Sequence, residues 1–223
     1  MSMIVKNEGG SSIPLLEEGV YTAVCTGLID LGYQESKLFN KNSRKIQIIW
    51  TIPEEKIKYT DKEGNEKEGM RQMSKEYTAC ITEKSNLNKD LTSWRGKAFT
   101  EEEMKGFDLK KLLLIPCQIQ IVHQGKETKY ANIAGIMGLP KGTKVDTSEL
   151  TTLMFDMSDP NTWNIFDNLP KFIQEKIKSS VGFAESDLDN YIRGLAPAEE
   201  IEKTKEDTKL DDSIEITDDD LPF

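Results

Sequence analysis

Apolar and polar positions alternate with a period of two through much of the first 140 residues, and that period belongs to half-buried strands. The clearest case is Lys45-Ile46-Gln47-Ile48-Ile49-Trp50-Thr51-Ile52, which puts Ile46, Ile48, Trp50 and Ile52 on one face and Lys45, Gln47 and Thr51 on the other. Pro53 is predicted to end that strand. Upstream, Val20-Tyr21-Thr22-Ala23-Val24-Cys25-Thr26-Gly27-Leu28-Ile29 is a long β-prone run behind the turn signal Glu18-Gly19. Gly27 inside it predicts a bulge or bend, so that one strand can serve two sheets. Residues 56–70 are polar around Asp61-Lys62-Glu63-Gly64-Asn65 and predict a hairpin tip leading into a strand over 71–81. Strand character returns at 117–123, turns at Gln124-Gly125-Lys126, and resumes over 128–137.

Between the third and fourth strands the period changes. Leu87, Leu91 and Trp94 fall at i, i+4 and i+7 with Gly96 as a stop, and Thr100-Glu101-Glu102-Glu103 has the form of a capping box. Three strands, a helical insert and two strands is the order of the OB fold, a five-stranded Greek-key barrel. Beyond Gly142 the pattern loosens until Asn168-Leu169-Pro170 opens a helix whose stripe is Leu169, Phe172, Ile173 and Ile177, with Lys176 and Lys178 in its last turns and Gly182 as its cap. It is expected to pack on the barrel or on a neighbouring subunit. From Ala196 onward large apolar residues are too few to offset the entropy of ordering the chain. The expected fold is therefore an all-β core with a helical insert, an OB-type barrel over residues 1–145, a helical extension over 146–195, and a disordered acidic tail over 196–223.

Composition sharpens this division. At 223 residues, 37% hydrophobic and 30% charged, the chain has material for one good core. Its net charge of −10 is unevenly spread: residues 1–145 carry twenty-two bases against nineteen acids, residues 146–194 four against nine, and residues 195–223 three against eleven. A mildly basic body thus precedes an acidic appendage, which is compatible with phosphate binding by the body. Cys25, Cys80 and Cys117 are far apart, odd in number and set in apolar strand-like runs, so they read as buried free thiols rather than a disulfide framework or a zinc site. Residues 1–10 lack an apolar signal core and no run approaches the ~18 apolar residues of a membrane span, so a cytoplasmic protein is expected.

The last six residues, Asp218, Asp219, Asp220, Leu221, Pro222 and Phe223, set three carboxylates before a small apolar hook. The charges keep such a tail in water, while Leu-Pro-Phe can fill a shallow pocket whose Lys or Arg neighbours neutralise the aspartates. This ending resembles the acidic tip of bacterial and phage single-stranded-DNA-binding proteins. Glu18-Gly19-Val20-Tyr21, the insert from Glu83-Lys84-Ser85-Asn86-Leu87 through Ser93-Trp94-Arg95-Gly96-Lys97-Ala98-Phe99-Thr100, and Leu139-Pro140-Lys141-Gly142 extend the resemblance to the phage-encoded, OB-fold members. It implies single-stranded DNA as ligand, replication, recombination and repair enzymes as partners of the tip, and the host-cell cytoplasm as location. The glycine-rich linker of the cellular proteins is missing and the insert is longer, so their tetrameric assembly does not carry over, although a homo-oligomer of some kind stays open.

Sequence-independent binding of a single strand needs a cationic groove and exposed rings on which bases stack. On the third strand Arg71, Lys75 and Tyr77 share a face with Met73 and Ala79, which suits a nucleotide-facing surface, or equally a core stripe with the two cations at its ends. Lys45 opposes the Ile/Trp stripe, and Lys56, Lys58 and Tyr59 rise along the hairpin. Arg95 and Lys97 follow the first helix, and Lys129 and Tyr130 adjoin the turn at Gly125. Trp50 and Trp94 read as core anchors.

Catalytic inventory is thin. His123 is the single histidine, no phosphate-binding Gly-x-x-x-x-Gly-Lys loop occurs, and Glu101, Glu102 and Glu103 point in different directions on a helix, so neither an enzyme, a cofactor nor a metal is expected. Two other readings compete with passive binding: a strand-annealing or recombination-mediator protein, and an acidic adaptor or DNA mimic with little affinity for DNA.

Overall fold

In the computed structural model, which describes residues 14–36, 40–60, 64–126 and 129–195, one long bent strand organises everything else. This strand, β1 (Gly19–Ser36), pairs antiparallel with β4 (Pro116–Gln124) through its first third and with β2 (Lys41–Thr60) from Val24 onward. The switch falls at the expected bulge, between Cys25 and Gly27. A Cβ on Gly27 would sit 2.9 Å from the Ile49 side chain, so the close approach of β2 there requires glycine. β3 (Glu66–Thr78) pairs with β2, and β5 (Tyr130–Met137) with β4, giving a mostly antiparallel sheet in the order β3-β2-β1-β4-β5. The sheet curls into a half-barrel that brings β5 near β3, yet among the described residues no ladder joins them.

The curl encloses the first core: Ala23, Cys25 and Leu28 of β1, the Ile46, Ile48, Trp50 and Ile52 stripe of β2, Tyr77 of β3, and Ile119, Ile121, Ile133 and Ile136 of β4 and β5. Helix α1 (Asn86–Arg95) covers it with Leu87, Leu91 and Trp94. Ser85 caps its first turn and Gly96, at φ 69°, ends it in the left-handed conformation. Helix α2 (Glu101–Lys105) follows with the expected capping box from Thr100 and Glu103.

A second core lies on the opposite face of β1, where Ile29 and Leu31 point away from Leu28. Residues 146–195 build it. A short strand, β6 (Leu153–Phe155), pairs parallel with β1 at Gly27, Leu28 and Ile29, and the 3-10 helix Pro160–Asn168, α3 (Lys171–Lys178) and α4 (Asp187–Ile192) bring Trp163, Phe166, Ile173, Ile177 and Leu188 onto β1. The extension therefore packs on the sheet of its own chain. Among the described residues no helix is long and apolar enough to cross a membrane.

Several expectations are corrected. β2 runs through Pro53 because Pro53, Glu54 and Glu55 form a bulge between Ile52 and Lys56, whose partners Arg71 and Met70 are consecutive, and a bulged proline owes the ladder no hydrogen bond. β3 ends at Thr78 instead of residue 81. β6 adds a sixth strand to the five expected. In α3 the buried stripe is Ile173 and Ile177 behind Leu169, while Phe172 is 66% exposed; Ser179 caps the helix, and Gly182 opens the following turn. Cys25 and Cys117 are buried free thiols, but Cys80 lies past the end of β3 and is half-exposed.

Candidate nucleic-acid interface

Beyond the bulge, residues 56–60 of β2 and 66–70 of β3 pair with each other alone, because the β1 ladder with β2 reaches only as far as Thr51. They form a two-stranded arm that projects past the sheet. Lys56, Lys58 and Tyr59 lie along it, all exposed. Tyr59 is 37% exposed and its ring leans on Gly69, where a Cβ would come within 3.0 Å of it. The absence of a side chain at Gly69 is what lets the phenol lie flat against the arm.

The base of the arm opens into a cleft of about 850 Å³. Lys56, Ile57 and Tyr59 line one wall, residues 69–73 the floor, and residues 14–16, Ala131 and residues 149–151 the rest. A second hollow of about 570 Å³ adjoins it around Tyr21, Lys56, Lys58 and Arg71. Of the residues singled out in the sequence, Lys56 and Arg71 line both hollows, Tyr59 the first and Lys58 the second. Tyr130, 54% exposed, and Lys129, also exposed, immediately precede the cleft residue Ala131 in sequence, but neither lines the cleft, and alternation along β5 turns Tyr130 to the face opposite Ala131 and Ile133.

The remaining candidates are elsewhere, and strand parity is the reason. Arg71, Met73, Lys75 and Tyr77 point toward the inside of the curl, while Gln72, Ser74, Glu76 and Thr78 are exposed. Arg71 is buried and its guanidinium donates to the Pro14 carbonyl. Lys75 Nζ lies 2.7 Å from Asp90 Oδ2, and the Tyr77 hydroxyl donates to the same oxygen at 2.8 Å. Burial, with the Asp90 charge added, pushes the Tyr77 phenol far above its ordinary value. Lys75 and Tyr77 therefore fasten α1 to β3, and with the ring only 3% exposed this placement does not match the nucleotide-facing surface expected of them.

Arg95 departs from expectation for the same kind of reason. Its side chain is fully buried, ion-paired with Glu103, and its guanidinium sits 4.2 Å over the Phe99 ring, so it holds the turn between α1 and α2 and does not reach outward to phosphate. Lys97, two residues on, is exposed. Lys45 lies at the far end of β2, where its Nζ donates to the Thr78 hydroxyl at 2.9 Å. Trp50 is wholly buried, and Trp94 donates its indole N–H to the Pro116 carbonyl at 3.0 Å, so both are core anchors. The tip residues 218–223 lie outside the described residues.

Sequence reasoning overlooked a polar strip on the solvent face of β2 and β3. Gln47 Nε2 donates to Ser74 Oγ at 3.1 Å and Lys176 of α3 pairs with Glu76, while the Thr26 and Thr51 hydroxyls, 2.7 Å apart, form a separate buried pair between β1 and β2. The signal was present: the set Gln72, Ser74, Glu76 and Thr78, which makes a poor core, is for that reason the outer face. Tyr21 was also passed over. It is half-buried in the second hollow, and its hydroxyl donates to the Glu17 carbonyl at 3.0 Å.

No family model, curated protein or solved structure matches this chain. The arrangement must be interpreted from its own chemistry. Among the described residues no group of three or more His, Cys, Asp or Glu side chains could hold a metal ion. His123 is engaged in fixing the start of the fold, its Nε2 lying 2.8 Å from the Leu16 carbonyl oxygen while its backbone N–H donates to Glu18 Oε1 at 2.7 Å. What the arm offers is two exposed ammonium groups, Lys56 and Lys58, and an exposed phenol, Tyr59, beside an open cleft that also carries Glu68 and Glu149; exposed cations with an exposed ring are the elements used to hold an extended, anionic, ring-bearing polymer.

Proposed function

We propose that this chain is a sequence-nonspecific single-stranded-DNA-binding protein built on an OB-type barrel, binding DNA along the β2–β3 arm and the β4–β5 turn. The observation that carries the reading is the gathering of the exposed Lys56, Lys58 and Tyr59 on a projecting arm, with the exposed Lys129 and Tyr130 at the start of β5 just before the cleft residue Ala131. The strand order β3-β2-β1-β4-β5, with α1 between β3 and β4 and β5 curling toward β3, supports the OB assignment. The charge division supports it too: the body is mildly basic although the whole chain is at −10. In this reading the tip Asp218-Asp219-Asp220-Leu221-Pro222-Phe223 recruits replication, recombination or repair enzymes, and the protein protects single strands during phage replication and recombination.

Fluorescence anisotropy with a labelled oligo-dT and a duplex of equal length tests this. Tight single-strand binding is expected, with weak duplex binding and log affinity falling with log salt by about 0.7 per phosphate neutralised. Tyr59→Ala and Tyr130→Ala are each expected to weaken binding by roughly 1–3 kcal/mol, the worth of a lost base stack, which is about 5- to 150-fold. Lys56→Glu with Lys58→Glu should flatten the salt slope. Equal affinity for duplex overturns the proposal, as does no binding at low salt; the second result would favour the acidic adaptor.

A further inference from the structure

Helix α3 differs in charge from the rest of the extension. Residues 146–194 carry nine acids against four bases, yet three of those bases, Lys171, Lys176 and Lys178, fall within the eight residues of α3, where Glu175 is the only acid. The helix also holds the most exposed aromatic ring among the described residues, Phe172, at 66%. A lone exposed ring is ordinary on a protein surface, so exposure by itself means little here. Its position means more. Phe172 and Lys176 stand about one turn apart on the same flank of α3, some ~6 Å along the axis, and Lys176 reaches across to Glu76 on the outer face of β3. The flank that carries the ring is therefore the one turned toward the polar strip of β2 and β3.

That strip runs back to the cleft. Gln72, which lines the cleft, shares the exposed parity of β3 with Ser74 and Glu76, and the strand from Gln72 to Glu76 covers about 13 Å. Gln47 of β2 joins the strip through Ser74, and Lys45 closes its far end on the Thr78 hydroxyl. Lys176 neutralises Glu76, the one carboxylate among these residues, so what faces a ligand is amides, hydroxyls and the Lys45 ammonium.

We propose that α3 is a second contact for single-stranded DNA, reached from the cleft along the outer face of β3, with Phe172 as a base-stacking ring and the exposed Lys171 and Lys178 beside the phosphates. The inference rests on the DNA-binding reading and extends it from the arm to the extension. An unpaired strand fits this surface because a base stacks on any exposed ring while its phosphates take the flanking cations. A protein partner fits it less well, since the exposed residues of the strip, Gln72, Ser74, Glu76 and Thr78, supply no apolar centre for an interface.

Fluorescence anisotropy with oligo-dT long enough to run from the arm to α3, about 16 nucleotides or more, tests this. Phe172→Leu is expected to weaken binding about 5- to 150-fold, the worth of one lost stack, and Phe172→Trp to restore it. The urea midpoint of Phe172→Leu should stay at the parent value, because the ring belongs to neither core. Lys171→Gln should lower the salt slope by about 0.7. Iodouracil-substituted oligo-dT should form a photo-cross-link at Phe172 as well as on the arm. Parent-like affinity in Phe172→Leu, with the parent still binding single strands, overturns this inference and leaves the DNA-binding reading standing; failure of the parent to bind oligo-dT overturns both. A dimer that Phe172→Leu converts to monomer at unchanged DNA affinity would identify a second copy as the occupant, and overturns the inference too.

Discussion

Tyr59 and Tyr77 show how position on a strand decides what a side chain does. Tyr59 stands past the bulge in β2, 37% exposed on the arm at the wall of the cleft; Tyr77 sits on the inward parity of β3, under α1, with its hydroxyl on Asp90. Tyr77→Phe removes one hydrogen bond to a carboxylate and should cost about 1.5 kcal/mol in urea unfolding while leaving affinity for oligo-dT within twofold. Asp90→Ala should cost more, since it strands both the Tyr77 hydroxyl and Lys75. The opposite pattern for Tyr77→Phe, weaker DNA binding at unchanged stability, would return Tyr77 to the binding face. The alternation along residues 71–78 was legible from the sequence, but the face was not. Arg71 and Lys75 carry long apolar stems that let an inward position end on Pro14 or Asp90, so a cation on that face did not mark it as solvent-facing.

At the level of elements, the local rules were legible wherever a cap or a period stood on contiguous residues. α1 stops at Gly96, α2 opens on its capping box, and β1 bulges at Gly27. Signals that depend on a distant partner were not legible: β6 is three residues long and exists because β1 offers a free edge there, and Pro53 is tolerated only because β3 leaves it unopposed. The α2 cap also makes a pH prediction. Glu103 accepts from the Thr100 backbone N–H at 2.8 Å and pairs with Arg95, and these contacts, the backbone bond first, hold its carboxyl below the ordinary value of 4.5. A depressed carboxyl contributes stability above its unfolded value and loses it as pH falls through the folded one. Glu103→Gln should therefore be less stable than the parent at pH 7, the more so because Arg95 is left buried with its carboxylate partner removed. The gap should narrow steadily as pH falls below about 4.5. Urea midpoints measured from pH 7 to pH 3 check this, and a gap that stays constant would show that Glu103 acts by packing alone.

For the molecule as a whole, β1 decides how the two cores are coupled. Residues 23–32 are buried without interruption, with Leu28 in the core inside the curl and Ile29 and Leu31 in the core beneath the extension. Neither core can lose β1 and survive, so the extension should unfold together with the half-barrel in one transition. Trp163 reports the extension, and Trp50 and Trp94 report the curl. Ile177→Ala, a truncation in the second core, should cost about 2–5 kcal/mol and lower the midpoints seen by both sets of tryptophans equally. Single-tryptophan variants followed in the same denaturant series make the comparison directly. If the Trp163 signal moves while the Trp50 signal stays, the extension is a separate folding unit, and residues 1–145 should then stand alone with Ile29 and Leu31 exposed. If both move together, the extension is a permanent cover over one face of β1. The arm is not independent of that cover, because Glu149, Leu150 and Thr151 of the extension line the cleft at its base, so loosening the extension should also alter the cleft.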